Sequence, residues 1–328
     1  MDLNGSKVTA YFPYFGRLNT LRMNNKYFII TVDTEGDNLW YYKKGDLVRT
    51  ENALFCPRFQ DLCNKYGFKP VWLTNYEMAS DDRFVDYIKP KEAAGLCEVG
   101  IHVHAWNNPP IYNLNGKYQG NSYLVEYPVE IMEEKFRVCY ELITEKFGHA
   151  PVSHRSGRWV MNEEYFRILE DFNIKVDCSV TPLVDWSSTP GESVLGGCDY
   201  SQFPIHTHYI GKILEVPMTI RNIRKTDIGS WKHKLKTRLL GKTVWLRPAM
   251  FSLSDMKQLV KQVSKSSNTD YIELMMHSSE LMPGGSPYFK TNESIEHLYL
   301  NLEELFFNLR NMRYCGVTLD EYSNFFSV

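Results

Sequence analysis

The chain has 328 residues, 43% apolar and 14% aromatic, enough to bury a sizeable core as one large α/β domain or two smaller ones. Its 37 basic and 39 acidic side chains leave a net charge of -2, which argues against a nucleic-acid partner and against attraction to an anionic membrane. The seven cysteines are odd in number and include no CxxC pair, which argues against a disulfide scaffold or a thiolate zinc site and fits a reducing compartment.

Residues 1–25 mix aromatics with turn residues without helical periodicity and read as an irregular arm ahead of a single catalytic domain spanning 26–328. They lack the apolar run of a signal peptide, and no window approaches the roughly 20 apolar residues of a membrane span. The expected location is therefore the cytoplasm. Residues 27–32 (YFIITV) read as a buried strand, 51–66 as a helix, 69–73 as a strand, 82–91 as a helix and 97–103 as a strand.

Residues 105–127 are rich in Asn, Gly, Pro and Tyr and read as a long loop, of the kind that is usually functional. A helix is expected over 128–147, another after an N-cap at Asn162, and a strand over 174–180. Residues 181–217 read as loop and 231–240 as a basic helix with a solvated face. Strands at 243–247 and 271–276 and helices at 254–264 and 294–313 complete the alternation. No internal repeat or low-complexity segment is present. Strands alternating with helices imply a mostly parallel sheet, and about seven βα units favour barrel-like closure over an open sheet.

Three of these strands end on residues that bind metals or move protons: TVDTEGD at 31–37, GIHVHAW at 100–106 and LMMHSSE at 274–280. In parallel α/β folds the C-terminal edge of the sheet carries the active site. Asp33 and Glu35 are two residues apart, so both face one side of an extended backbone. One can hold a metal while the other takes a proton from its water, although a lone acidic pair at a strand end more often caps the next turn. His102 and His104 repeat the spacing, which suits a divalent ion bound through imidazole. His206 and His208 copy it again, in a Gly-rich region with no acidic motif beside them.

His277 can serve as a general acid, its ordinary pKa lying near neutrality, or be a buried structural histidine. The sharp turn of SSELMPGG places Ser278, Ser279 and Glu280 close to it. Arg155 and Arg158 in HRSGRW can hold a catalytic carboxylate or bind substrate, and arginine in such a place is as often a structural ion pair. Asp177 and Asp185 can tune His277 or hold a sugar hydroxyl, and Trp186 offers a stacking surface. All three can equally be ordinary loop packing.

Taken in order, VDTEGD, GIHVHAW, HRSGRW, VDCSVTPLVDW and LMMHSSE resemble the successive motifs of the polysaccharide deacetylase (NodB homology) superfamily over residues 27–325. Within it, HSSEL followed by PGGSPY is similar to a mark of the WbmS-like branch, encoded with bacterial surface-polysaccharide genes. The resemblance implies an irregular (β/α)7 barrel and a divalent metal, commonly zinc, used to hydrolyse an N-acyl group, commonly N-acetyl, from a sugar. It implies Asp33 as general base, Glu35, His102 and His104 as metal ligands, Arg155 as the partner of Asp33 and His277 as general acid. Trp106, Arg158, Asp185, Trp186 and Glu280 are the expected substrate contacts. The sequence departs from the family pattern twice: Asp and Glu separated by Thr34 replace two adjacent aspartates, and H-x-H replaces H-x-x-x-H.

The expected substrate is a sugar of a bacterial surface polysaccharide or its precursor. Three other readings stay open: a metal-independent glycoside hydrolase using Asp33 with Glu35 or Asp185 with Glu280, a glycan-binding protein with Trp40, Trp106, Trp159 and Trp186 as platforms, and an amidohydrolase acting on a small cyclic amide or ureide. Neither of the two long loops carries a recognisable self-association motif, and the oligomeric state stays open.

Overall fold

The computed structural model describes residues 26–326 apart from 38, 44, 119, 195, 225–230, 233–240 and 267–268. The expected N-terminal arm (1–25) and most of the expected basic helix (231–240) lie outside the described residues. The strands are β1 (Lys26–Thr34), β2 (Pro70–Thr74), β3 (Glu98–Val103), β4 (Ser153–Ser156), β5 (Val176–Asp177), β6 (His208–Ile210), β7 (Ile213–Glu215), β8 (Ile220–Ile223), β9 (Lys242–Trp245), β10 (Tyr271–His277) and β11 (Tyr314–Gly316). The helices are α1 (Cys56–Tyr66), α2 (Tyr76–Ala79), α3 (Asp82–Ala93), α4 (Val129–Phe147), α5 (Glu163–Asp171), α6 (Leu253–Val263), α7 (Asn292–Asn311) and α8 (Leu319–Ser323).

Seven strands run parallel in the order β10-β1-β2-β3-β4-β5-β7, with β6 antiparallel at the far edge and β11 beside the start of β1. The sheet curls, and its two ends are bridged by the antiparallel pair β8–β9 rather than by a continuous ladder. Met218 N–H donates to Val180 O (3.0 Å), Leu246 N–H to Thr219 O (3.1 Å) and Met275 N–H to Leu246 O (3.1 Å). The result is a curled parallel half-barrel of the expected (β/α)7 kind, with a seam along β8 and β9.

The two faces of each strand separate by the two-residue period. On β1, Phe28, Ile30 and Val32 join the large core between the sheet and α1, α3, α4, α6 and α7. Tyr27 and Ile29 fill a second core inside the curl with Val71, Leu73, Val176 and Tyr271. The same inner face continues upward as Thr31 and Asp33 on β1, and as Glu273 and His277 on β10. The inside of the barrel is thus apolar at the bottom and polar at the C-terminal end, and the polar groups there are buried.

Local chemistry sets the ends of the helices. Pro57 opens α1 and Gly67, left-handed at φ 68°, closes it. The Asn162 side chain accepts the Tyr165 amide, and Thr291 and Ser294 form a capping box for α7.

Three expectations change. The strand expected over 174–180 is only β5, because beyond Asp177 the chain leaves the ladder and Ser179 donates its hydroxyl to the Asp177 carboxylate (2.7 Å). The segment 181–217, expected as loop, contains the hairpin β6–β7 around Gly211, which adopts φ 60°. Five short elements were not expected: α2, β4, β8, β11 and α8.

Candidate active site

Parallel register brings the motifs to one edge. Asp33 on β1 is the register partner of His277 on β10, and His102 on β3 is the partner of Arg155 on β4. Glu35 lies just past β1 and His104 just past β3, each two residues after an inward-facing residue.

Glu35, His102 and His104 converge. The Nε2 atoms of the two histidines stand 2.8 Å apart, and Glu35 Oε2 is 3.0 Å from His104 Nε2 and 3.7 Å from His102 Nε2. Glu35 Oε2 is buried without a hydrogen-bond partner. His102 Nδ1 faces the Arg155 carbonyl oxygen at 2.8 Å, so it carries the proton and the lone pair of Nε2 points into the cluster. Three electron-pair donors aimed at one point repel each other unless a cation sits among them, and a carboxylate with two imidazoles is a set that zinc accepts. These residues fit a divalent ion. The Nδ1 of His104 is buried with no partner, so this ring is held by the 4.3 Å contact with Trp106 instead of by a hydrogen bond.

Asp33 sits beside the cluster. Arg155 Nη1 donates to Asp33 Oδ1 (2.6 Å), Arg155 Nη2 donates to Glu273, and Arg155 Nε donates to the Cys178 carbonyl (3.0 Å). Asp33 Oδ2 is left 4.0 Å from His102 Nε2 and 3.9 Å from His277 Nε2. Burial works to raise the Asp33 pKa, but the Arg155 guanidinium, with His102 and His277, overrides it and holds the carboxyl well below its usual range.

Burial likewise opposes ionisation of Glu35, and His104, His277 and His102 together lower its pKa despite that. Burial drives His104 down to about 3, against the pull of Glu35, so this ring is neutral at ordinary pH. For His102 burial is outweighed by Asp33 and Glu35, and its pKa rises.

His277 turns Nε2 toward Asp33 and Glu35, each 3.9 Å away, and Nδ1 toward Glu280 Oε1 at 3.1 Å. Arg247 Nη2 donates to Glu280 Oε1 (3.3 Å) and lies 3.2 Å from His277 Nδ1. Burial opposes ionisation of Glu280, but His277 and Arg247 hold its pKa low, so it stays ionised behind the imidazole. Trp40 packs edge-on against His277 at 4.9 Å and donates its indole N–H to Ser279 Oγ (3.0 Å).

Asp33, Glu35, Trp40, His102, His104, Arg247 and His277 open into one cleft of about 380 Å³. Its outer wall is aromatic: Trp159 and Trp186 stack at 5.1 Å with Trp245 edge-on to both. Trp106 and Arg158 also line it.

Two expected substrate contacts are not in the cleft. Glu280 is completely buried and bonded to His277 and Arg247, because the short 3-10 helix after β10 folds it back under the imidazole. Asp185 is exposed and accepts the Ser187 amide (2.8 Å), a turn contact away from the cleft wall. Asp177 bonds His154 (2.7 Å), whose Nε2 meets the Tyr165 hydroxyl of α5 at 2.8 Å, so it faces the helix layer and cannot tune His277. His208 turns its Nδ1 to the His206 carbonyl (2.9 Å) and takes no part in the site.

Sequence reasoning missed Arg247 and Glu273. Glu273 had a signal: it is the one acidic residue in YIELMMH and shares a strand face with His277, four residues on. Arg247 follows a short strand that ends one side of the seam and carries no comparable mark.

No family model and no curated protein matches the chain. Solved structures similar to it include a candidate polysaccharide deacetylase from Mycobacterium smegmatis (14% identity over 93% of this chain and 98% of that one, TM-score 0.49). A 4-alpha-glucanotransferase from Thermococcus litoralis matches at 11% identity over 90% of this chain and 38% of that one, with TM-score 0.47. A family 4 carbohydrate esterase from Streptomyces lividans, in complex with acetate, matches at 10% identity over 89% and 92%, with TM-score 0.43.

Proposed function

We propose that the protein is a metal-dependent hydrolase that removes an N-acyl group, N-acetyl in the simplest case, from a sugar of a bacterial surface polysaccharide or of its precursor. The observation that carries the reading is the convergence of Glu35, His102 and His104 between a carboxylate, Asp33, and an imidazole, His277, both turned to the same cleft. The order of the motifs, which resembles that of polysaccharide deacetylases, supports the sugar amide as substrate, and the aromatic wall suits a pyranose face.

Glu35, His102 and His104 would hold the ion, and when bound it would acidify a coordinated water and polarise the acyl oxygen. Asp33, ionised and fixed at one oxygen by Arg155, presents its other oxygen to the cleft as the acceptor of a proton from the attacking water. His277 presents Nε2 to the same cleft and delivers a proton to the departing amine, while ionised Glu280 at Nδ1 orients the ring. The tryptophan wall and Trp106 hold the sugar and exclude water.

The glycosidase alternative built on Asp185 and Glu280 loses its pair, since one is exposed and the other is sealed behind His277. The test is release of acetate from N-acetylated amino sugars before and after chelation. Activity lost with chelator and restored by zinc is the expected result; turnover indifferent to chelator with new reducing ends would overturn it.

A further inference from the structure

We infer that the N-acyl sugar taken by this cleft carries an anionic substituent, a carboxylate or a phosphate, bound by Arg158. The inference rests on the deacylase reading for the sugar and on Arg158 for the charge.

Arg158 comes from a strained turn. Arg158 (φ 51°) and Trp159 (φ 58°) are consecutive non-glycine residues in the left-handed region, a conformation that side chains rarely adopt and that persists where the surroundings enforce it. The turn starts hard against the proposed metal ligands: a Cβ on Gly157 would lie 2.2 Å from Val103 O and 2.7 Å from His104 Cδ2. The strain therefore puts Arg158 and Trp159 on the cleft wall immediately after the residue that backs His104.

Among the described residues Arg158 has no ion-pair partner in contact with it. Among the described residues no carboxylate lies within ion-pair distance of it. Its guanidinium donates to two main-chain carbonyls, Asn121 O and Pro190 O (2.9 Å for the latter), and lies 4.2 Å from the Tyr123 ring centre. These contacts place the group, and Glu126 acts on it only at longer range, its own oxygens taken by the Tyr123, Glu192 and Ser193 amides. Arg247, the other arginine on the wall, already has Glu280. Among the described residues the carboxylates lining the cleft are Asp33 and Glu35, committed to Arg155 and to the proposed ion. A half-buried guanidinium in an aromatic cleft, with no acid in contact with it, selects an anion by charge-assisted hydrogen bonding. An arginine needed only to staple two loops would leave charged and neutral sugars bound alike.

The test uses zinc-loaded protein and reads binding through tryptophan fluorescence, since five tryptophans line the cleft. The probes are N-acetylglucosamine, N-acetylglucosamine 1-phosphate and the uronic acid of N-acetylglucosamine, and acetate release is followed in parallel. Wild type should bind one or both anionic sugars at least tenfold more tightly than the neutral one. Which of them wins separates phosphate from carboxylate. Arg158→Gln should abolish the difference and Arg158→Lys should keep part of it, with thermal unfolding recorded for each variant. Equal affinity of wild type for neutral and anionic sugars would overturn the inference whatever the variants do. Acetate released from neutral sugar with no preference for charge would leave the deacylase reading standing and remove this one. Binding of anionic sugar that depends on Arg158, without acetate release, would do the reverse.

Discussion

Asp33 and His277 are register partners on two adjacent parallel strands, and the imidazole Nε2 lies 3.9 Å from the carboxylate Oδ2. Neither side chain can move far, because Arg155 grips the first and Glu280 the second. If they are base and acid, Asp33→Asn and His277→Ala each lose on the order of 100-fold to 10,000-fold in kcat. Single-turnover acetate release would read this, and full activity in either variant would remove that residue from the mechanism.

Zinc affinity should depend on pH with a defined sign. An imidazole binds metal only when its nitrogen is free of a proton. His104, lowered to about 3, is free throughout, whereas the pKa of His102 is raised above 6.5 by Asp33 and Glu35. Affinity is therefore complete above the raised His102 pKa and declines as pH falls through it. Titration calorimetry across that range should show the decline, and His102→Ala should weaken binding more than His104→Ala, because only His102 has its tautomer fixed by a hydrogen bond. A flat profile would contradict this account.

Arg155 is fully buried between two carboxylates. Replacing it with methionine leaves Asp33 and Glu273 facing each other without a counter-charge, and should cost about 3 to 5 kcal/mol in urea unfolding. A loss below about 1 kcal/mol would mean that Glu273, whose pKa burial already raises, simply takes up a proton in compensation.

Gly157→Ala tests the contact behind His104. The added methyl meets Val103 O at 2.2 Å, a backbone atom that cannot swing aside, so destabilisation of about 1 to 3 kcal/mol is expected together with weaker zinc binding. Unchanged zinc affinity would show that the turn and the ligand are mechanically separate.

Glu280 can be assigned by separating kcat from KM. As the group orienting His277 it should affect kcat, so Glu280→Gln should lower kcat about tenfold or more and leave KM nearly unchanged. A rise in KM alone would return it to the substrate-binding role that its position in the sequence suggested.

What the sequence disclosed was periodicity and strand ends. A two-residue repeat sends Asp33 and Glu35, or His102 and His104, to one side of the backbone whatever the rest of the fold does, and parallel strands bring such ends to one edge. The same reasoning failed where the chain turns back within a few residues. Glu280 stands three residues beyond His277, and only the 3-10 turn decides whether it faces the cleft or the underside of the ring. Asp177 and Asp185 share one apparent motif, yet one points to the helix layer and the other to solvent. The hairpin β6–β7 was missed because three-residue strands carry too little periodicity to stand out from a polar loop.

Residue 155 serves the site twice, by different parts of itself. Its side chain fixes Asp33, and its main-chain oxygen accepts the Nδ1 proton of His102. Substitution can delete the first service, but the second belongs to the backbone and survives every change of residue type that keeps β4 in place. Over evolutionary time, then, the support of the carboxylate is open to revision by point mutation, while the orientation of this histidine is inherited with the sheet. A lineage that gave up hydrolysis could discard the guanidinium and still keep a histidine poised for a metal.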